Sequence, residues 1–198
     1  MSSLSMLHPE TPTLDLEAFR TFEAERPHER WELIEFVPMM MAGGTARHAR
    51  IAVNILVALR RQLAGSSCEP FGSDMGVERA ANGLAAYPDV SVRGGRPLDR
   101  ERAMTDPVVL VEVVSPSSES RDVGFKLEAY RDFESLQTYL VVFQDERRLQ
   151  AWVRDPDEEI GWRKVVATAG ALVLQGVDAV LDLEEVYAGV ALGSSSAA

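Results

Sequence analysis

Apolar residues recur at two different spacings along this chain, and the switches between them mark its elements. Leu14, Phe19 and Phe22, with acids between them, predict a short amphipathic helix over about 14–25. Trp31 to Met41 reads as extended, because Leu33 and Phe36 are strand-friendly and Pro38 argues against a helix. Met39, Met40 and Met41 read as strand and core packing, not as a ligand set. Gly43-Gly44 breaks the run. Thr45 suits the N-cap of a helix to about Leu63, with Ile51, Ile55, Leu56, Leu59 and Leu63 at helical spacing.

Beyond Gly65-Ser66-Ser67 the period shortens. Extended segments are expected around Phe71–Arg79 and Tyr87–Val92, separated by Ala81-Asn82-Gly83, a hairpin-like turn signal. Arg93 to Asp106 reads as a charged connection. Pro107 then opens Val108-Val-Leu-Val-Glu-Val-Val114, an apolar run typical of a strand buried on both faces. Ser118 or Ser120 suits the cap of a helix to about Phe133, with Phe125, Leu127, Tyr130 and Phe133 as its apolar contacts. Thr138–Phe143 reads as another buried strand. Leu149–Arg154 and Gly161–Thr168 flank an acidic turn, the pattern of a C-terminal hairpin, and a short helix is expected over Leu183–Tyr187. The order predicts a mixed α/β domain over about 13–190, built around one sheet, with frayed ends at 1–12 and 191–198.

Composition narrows the class. The 198 residues are 46% apolar and 26% charged, which fits one soluble globular domain and not a disordered chain. The single cysteine, Cys68, excludes an internal disulfide framework and a multi-cysteine zinc site. His8, His28 and His48 show no zinc spacing. No apolar run approaches the roughly 18 residues of a transmembrane helix, so no membrane partner is expected. The first residues have neither a charged n-region nor an apolar h-region, and the expected location is cytoplasmic.

Charge adds two details. The net charge is −11, yet residues 36–68 carry four arginines and no acid, for a local +4. The total disfavours a nucleic-acid partner; the segment does not, because phosphate contacts are local. Of the 20 basic residues only Lys126 and Lys164 are lysines. Each therefore invites a reason, since lysine and arginine differ in titration and geometry.

Three residues stand out chemically. Glu112 lies within an apolar strand, with Val114 on its own face and Val111 and Val113 on the other. A buried carboxylate must be paired, protonated, at an open strand end or bound to a cation; the bland case is a salt bridge to an arginine. Asp89, in Tyr87-Pro88-Asp89-Val90, is ordinary turn material alone, but two strands delivering one carboxylate each could converge at a sheet end. Such oxygens are the ligands Mg²⁺ and Mn²⁺ prefer. Lys126 pairs with Asp122 at i, i+4 on a solvated face, or else leans on the sheet beside Glu112. There its ammonium could stabilise a phosphate or orient a nucleophilic water.

Asp89, Glu112 and a nearby lysine are the parts of a PD-(D/E)XK phosphodiesterase. Trp31-Glu-Leu-Ile-Glu35, Arg47-His48, Pro88-Asp89-Val90, Glu112-Val-Val-Ser-Pro-Ser117, Asp122, Lys126 and Tyr130, then Tyr139-Leu-Val-Val142, resemble the Uma-two family of restriction endonuclease-like proteins over about 14–190. The resemblance implies a restriction endonuclease-like core: a central mixed β-sheet flanked by helices. It also implies a metal site on Asp89 and Glu112, a catalytic lysine supplied by the following helix as Lys126, an assisting acid at Glu32, and a homodimer. His48 matches a frequent family histidine, with a structural role at the helix start as an alternative.

The chain also departs from the family pattern. The usual motif has lysine two residues after the glutamate, where Val114 stands here. An Asp-Gly-Glu triplet is replaced by Glu35-Phe36-Val37, so a glycine turn is lost and a different strand connection is expected. A Leu-Val-Asp-Pro strand end becomes Val142-Phe143-Gln144-Asp145.

The expected function is a Mg²⁺- or Mn²⁺-dependent endonuclease acting on phosphodiesters of nucleic acid, DNA first, with RNA not separable by sequence. Asp89, Glu112, Lys126 and Glu32 would form the site, and Arg47, His48 and Arg50 on the arginine-bearing helix would contact phosphates. The alternative is a non-catalytic binding or scaffold protein, a homo-oligomer on the same fold, with Glu112 neutralised by an arginine.

Overall fold

Three sheets, where the sequence predicts one, take up the extended segments. The computed structural model describes residues 12–41, 43–95, 100–115 and 124–192. In chain order the first half runs α1 (Leu16–Ala24), β1 (Trp31–Ile34), β2 (Val37–Met40), α2 (Ala46–Gln62), β3 (Cys68–Gly72) and β4 (Gly76–Arg79). A 3₁₀ turn over Ala80–Asn82 leads to β5 (Leu84–Ala86), then β6 (Val90–Gly94) and β7 (Ala103–Met104). The second half is β8 (Pro107–Val114), α3 (Phe125–Arg131), β9 (Thr138–Phe143), β10 (Leu149–Arg154), β11 (Trp162–Ala167), β12 (Ala171–Leu174), β13 (Ala179–Asp182) and α4 (Leu183–Val186).

The larger sheet has the order β11-β10-β9-β8-β6-β3, antiparallel except for the parallel pair β8–β9. A five-stranded sheet has the order β2-β1-β5-β4-β7, and β12–β13 form a separate ribbon. The class is mixed α/β, as expected. The expected C-terminal hairpin is β10–β11, which extends the larger sheet. The ribbon and β7, inside the charged connection, were not legible in the sequence.

The sheets divide because the segment expected to run through Tyr87–Val92 breaks at Tyr87-Pro88-Asp89. Before the break β5 pairs with β1 and β4; after it β6 pairs with β3 and β8. Pro88 has no N–H to give a ladder, which suits this crossing point.

Alternation along β8 sets the two main cores. Val109, Val111 and Val113 pack with Ile51, Ile55 and Leu59 of α2, and with the ribbon and α4. Leu110 and Val114, on the face of Glu112, pack with Leu127, Tyr130 and Phe133 below the five-stranded sheet. Phe125, expected among those contacts, is 41% exposed instead, because α3 buries Lys126, Leu127, Ala129 and Tyr130. The other face of the five-stranded sheet, with Leu33 and Ala85, packs on Phe19 of α1.

The connection from β1 to β2, expected to change with the loss of its glycine, is a tight one. It remains a two-residue turn, with Ile34 opposite Val37, although Glu35 and Phe36 must both adopt positive φ, 50° and 68°. Phe36 is fixed there because its N–H donates to Gly83 O at 3.1 Å and its carbonyl accepts from Leu14 N at 2.7 Å. A Cβ on Gly83 would lie 2.4 Å from the Phe36 ring. The candidate caps Ser118 and Ser120, Asp122, and the ends 1–11 and 193–198 lie outside the described residues. No helix among the described residues is long and apolar enough to cross a membrane.

Candidate active site

Antiparallel register brings two of the predicted carboxylates together. Val90 of β6 stands opposite Val111 of β8, so their neighbours Asp89 and Glu112 come to the same end of that strand pair, and both line one cleft. The N–H of Val113 donates to Oδ2 of Asp89 at 2.7 Å, which holds the aspartate against the backbone beside Glu112.

α3 covers that face. Lys126 and Tyr130 are one turn apart on one side of the helix, and both donate to Oε1 of Glu112 at 2.9 Å. Lys126 Nζ also donates to Oε1 of Glu32 at 3.0 Å, and that oxygen accepts the Tyr87 N–H at 3.0 Å. Glu32 therefore joins β1, the sheet-crossing segment and α3 at one point. Lys126, Glu32 and Glu112 are only 3%, 2% and 5% exposed, so the charges depend on one another for solvation. The bland sequence expectation, an arginine on Glu112, differs from what the fold supplies: a lysine and a tyrosine. Burial, first, and the charge of Glu112 push the Tyr130 hydroxyl well above its ordinary range, so it is a proton donor here.

The start of α2 approaches from the opposite side. Thr45 caps the helix by accepting the His48 N–H at 3.1 Å, and its own hydroxyl donates to Oε1 of buried Gln144 at 2.8 Å. Gln144 N donates to Val114 O at 3.0 Å. His48 Nε2 lies 3.1 Å from Oδ2 of Asp89. A ring of contacts thus runs from β8 through Gln144, Thr45 and His48 to Asp89 and back to Val113.

These groups, Tyr130 apart, line one cleft of about 990 Å³, with Glu32, Asp89, Glu112 and Lys126 at its polar end and Arg30 among its walls. Of the three residues predicted to meet phosphates, His48 lines the cleft and Arg47 and Arg50 do not. Arg47 is ion-paired with Asp145, and Arg50 donates to Gly189 O at 2.5 Å. The electropositive segment of the sequence is locally matched: Arg60 meets Glu69 and Arg61 meets Glu185, at 3.5 and 2.7 Å. Asp145 and Glu185, distant in sequence, and Glu69, just past the segment, supply that balance.

Sequence reasoning missed the contributions of Tyr130, Thr45, Gln144 and Arg30 to this region. The i, i+4 spacing of Lys126 and Tyr130 was the available signal for one of them. Gln144 had been visible only as a departure from a pattern.

The carboxylates of Asp89 and Glu112, lining one cleft, are oxygen donors of the kind a hard divalent cation takes. Among the described residues no group of three or more His, Cys, Asp or Glu forms a metal cage. Two carboxylates are nonetheless a donor set that fits Mg²⁺, which keeps several waters and completes its shell from substrate phosphate.

Comparison with known proteins gives a consistent picture. The Uma2 family profile, described as "Putative restriction endonuclease", matches residues 16–190. The uncharacterized protein slr1290 of Synechocystis is 32% identical over 148 residues, covering 74% of this chain and 77% of its own length. A second uncharacterized Synechocystis protein, sll1609, is 30% identical over 138 residues, covering 68% and 78%. A crystal structure from Anabaena variabilis, described as a putative nuclease belonging to DUF820, superposes with a TM-score of 0.67 at 16% identity. It covers 88% of this chain and 97% of that one, a likeness of fold.

Proposed function

The chain belongs to the Uma2 family, and from that premise we propose that it is a Mg²⁺- or Mn²⁺-dependent endonuclease hydrolysing phosphodiester bonds in DNA. One observation carries the reading: Asp89, Glu112 and Lys126, distant in sequence, line the polar end of a single cleft.

In this reading Asp89 and Glu112 hold the cation. When bound, it supplies Lewis acidity to the phosphate and lowers the pKa of a coordinated water. The chain's own residues set the stage. Val113 N–H and His48 hold the Asp89 carboxylate in one orientation. Tyr130 and Lys126 fix Glu112, and Glu32 fixes Lys126 from the far side. An ammonium held between two carboxylates has its position fixed in advance, beside the place where a phosphate oxygen or a water would meet the site. Glu32 serves best as a positioning group for Lys126, since its Oε1 is already shared with Tyr87 N–H.

Plasmid nicking in Mn²⁺ tests this directly, with wild type, Asp89→Ala and Lys126→Ala prepared alike. Wild type is expected to nick in Mn²⁺ and to stop on chelation, and each variant to lose at least about 100-fold. Equal nicking by all three preparations would trace the activity to a contaminant and remove the site assignment. A non-catalytic binding protein is the second reading, favoured by one fact: Lys126 already pairs Glu32 and Glu112. Calorimetric titration showing no Mn²⁺ binding by wild type would select it.

A further inference from the structure

The cleft that holds Asp89 and Glu112 carries a strip of apolar and aromatic side chains among its polar lining. On one side stand Ala52, Val53 and Leu56 of α2, with Val53 56% exposed. On the other stand Phe71, Met75 and Tyr87, all half-buried. The two walls meet at Gly72, where a Cβ would lie 3.6 Å from Leu56 Cδ2. Arg30 is the one guanidinium among the lining residues; it donates to Ser73 O at 2.8 Å and lies 5.4 Å from the Tyr87 ring centroid.

A duplex held by its phosphates needs a stripe of cations along its path. α2 offers little toward one, because three of its four arginines are paired with acids, Asp145, Glu69 and Glu185, and Arg50 is turned to Gly189 O. The cleft, at about 990 Å³, has the scale of a pocket for a small ligand or one extruded nucleotide. An aromatic wall, an apolar surface facing it and a guanidinium beside the aromatic ring suit a stacked base and its own phosphate. Every base has a π-face, so such a wall binds without reading sequence.

Resting on the phosphodiesterase reading and narrowing its substrate, we propose that the DNA strand cut at this site is unpaired where it enters the cleft. A base lies between Val53 and the Phe71–Tyr87 wall, and Arg30 takes the adjoining phosphate. Duplex DNA then becomes a substrate only where a flap, gap or frayed end frees one strand.

The experiment uses the full chain with a labelled single-stranded oligonucleotide, its blunt duplex, and a duplex carrying an unpaired flap. Binding is read by fluorescence anisotropy in Mg²⁺, and cleavage in Mn²⁺. Single strand is expected to bind at least about 10-fold more tightly than blunt duplex, and cutting of the flapped substrate to fall on its unpaired arm. Val53→Glu, on an exposed position, is expected to weaken single-strand binding about 10-fold with thermal unfolding unchanged; Phe71→Ala should act alike if it folds. Equal binding and cutting of blunt duplex would overturn the proposal, as would unchanged single-strand binding by Val53→Glu. If Lys126→Ala abolishes cleavage in that case, the nuclease reading survives the loss. No cleavage of any substrate overturns that reading, and the assignment of a cut strand with it.

Discussion

A β-carbon on Gly44 would lie 2.8 Å from Nδ1 of His48, the residue whose Nε2 meets Asp89 at 3.1 Å. Gly44 is not in the left-handed region, so alanine there meets the imidazole and little else. Gly44→Ala is therefore expected to push His48 away from Asp89 while leaving stability within about 1 kcal/mol of wild type. If His48 orients a metal-holding carboxylate, Mn²⁺ affinity falls about 10-fold or more, the range for outer partners of a metal ligand. Calorimetric titration of Gly44→Ala and His48→Gln checks this. Wild-type Mn²⁺ affinity in both would leave His48 as a helix-start contact only.

Lys126 is the sole ammonium among the groups named at the polar end of the cleft, and it is shared by two buried acids. Replacing it by methionine keeps the stem's bulk and strips both carboxylates of the same partner. Lys126→Met is expected to destabilise by about 3–5 kcal/mol, the usual result of breaking a buried pair from one side. Adding Glu112→Gln removes one orphaned charge and should recover at least about 1 kcal/mol. Urea unfolding of the two single variants and the double variant measures the coupling. Strict additivity would mean that the ion pair contributes nothing specific.

Alkaline pH should weaken the fold through its tyrosines. Burial, ahead of other causes, pushes Tyr87 and Tyr187 up to about 12, and Tyr130 well above 10. The unfolded chain releases these protons near pH 10 while the folded chain keeps them. Stability is thus complete below about pH 10 and falls as pH rises toward about 12. For Tyr187, whose hydroxyl donates toward Phe143 O at 2.8 Å, the loss is of order 2 kcal/mol. Tyr187→Phe is expected to be less stable than wild type at neutral pH and to lose less across that interval. Denaturant midpoints compared at the two ends of the interval decide it, and parallel curves for both proteins would refute the assignment.

The parts of this molecule that sequence exposed are those where one residue violates its surroundings. Glu112 in a run of valines and leucines had to be paired, protonated, at an open strand end or bound to a cation, and the fold answers with Lys126 and Tyr130. α2 was legible from Thr45 to its end because cap and apolar period agreed. The sheet division was not legible, since Leu84–Ala86 and Val90–Gly94 are both short strands a few residues apart, and only pairing partners assign them to different sheets. The arginines of α2 misled for a related reason. Their neutralising partners Glu69, Asp145 and Glu185 come from other elements, and a running charge count cannot bring them back. Glu32 and Lys126, 94 positions apart, meet only through the tertiary arrangement of the five-stranded sheet and α3, which no local pattern encodes.

The turn between β1 and β2 is where a sequence oddity becomes a stability prediction. Two-residue hairpin turns with positive φ favour Asn-Gly, and this chain has Glu35-Phe36 at 50° and 68°. Phe36 has compensation: its ring packs on Gly83, and its backbone bonds both Gly83 and Leu14. A glycine at 36 would remove strain and ring contact together, leaving a small net change. Glu35 is exposed and has no such contact among those described here, so its left-handed backbone is a cost with little return. Glu35→Asn keeps a polar side chain and tolerates that conformation better, and should stabilise by about 0.5–1 kcal/mol. In a domain of this size that corresponds to a rise in Tm of about 1–4 °C, measurable by calorimetry. A fall in Tm would mean that Glu35 makes an interaction that offsets its backbone strain.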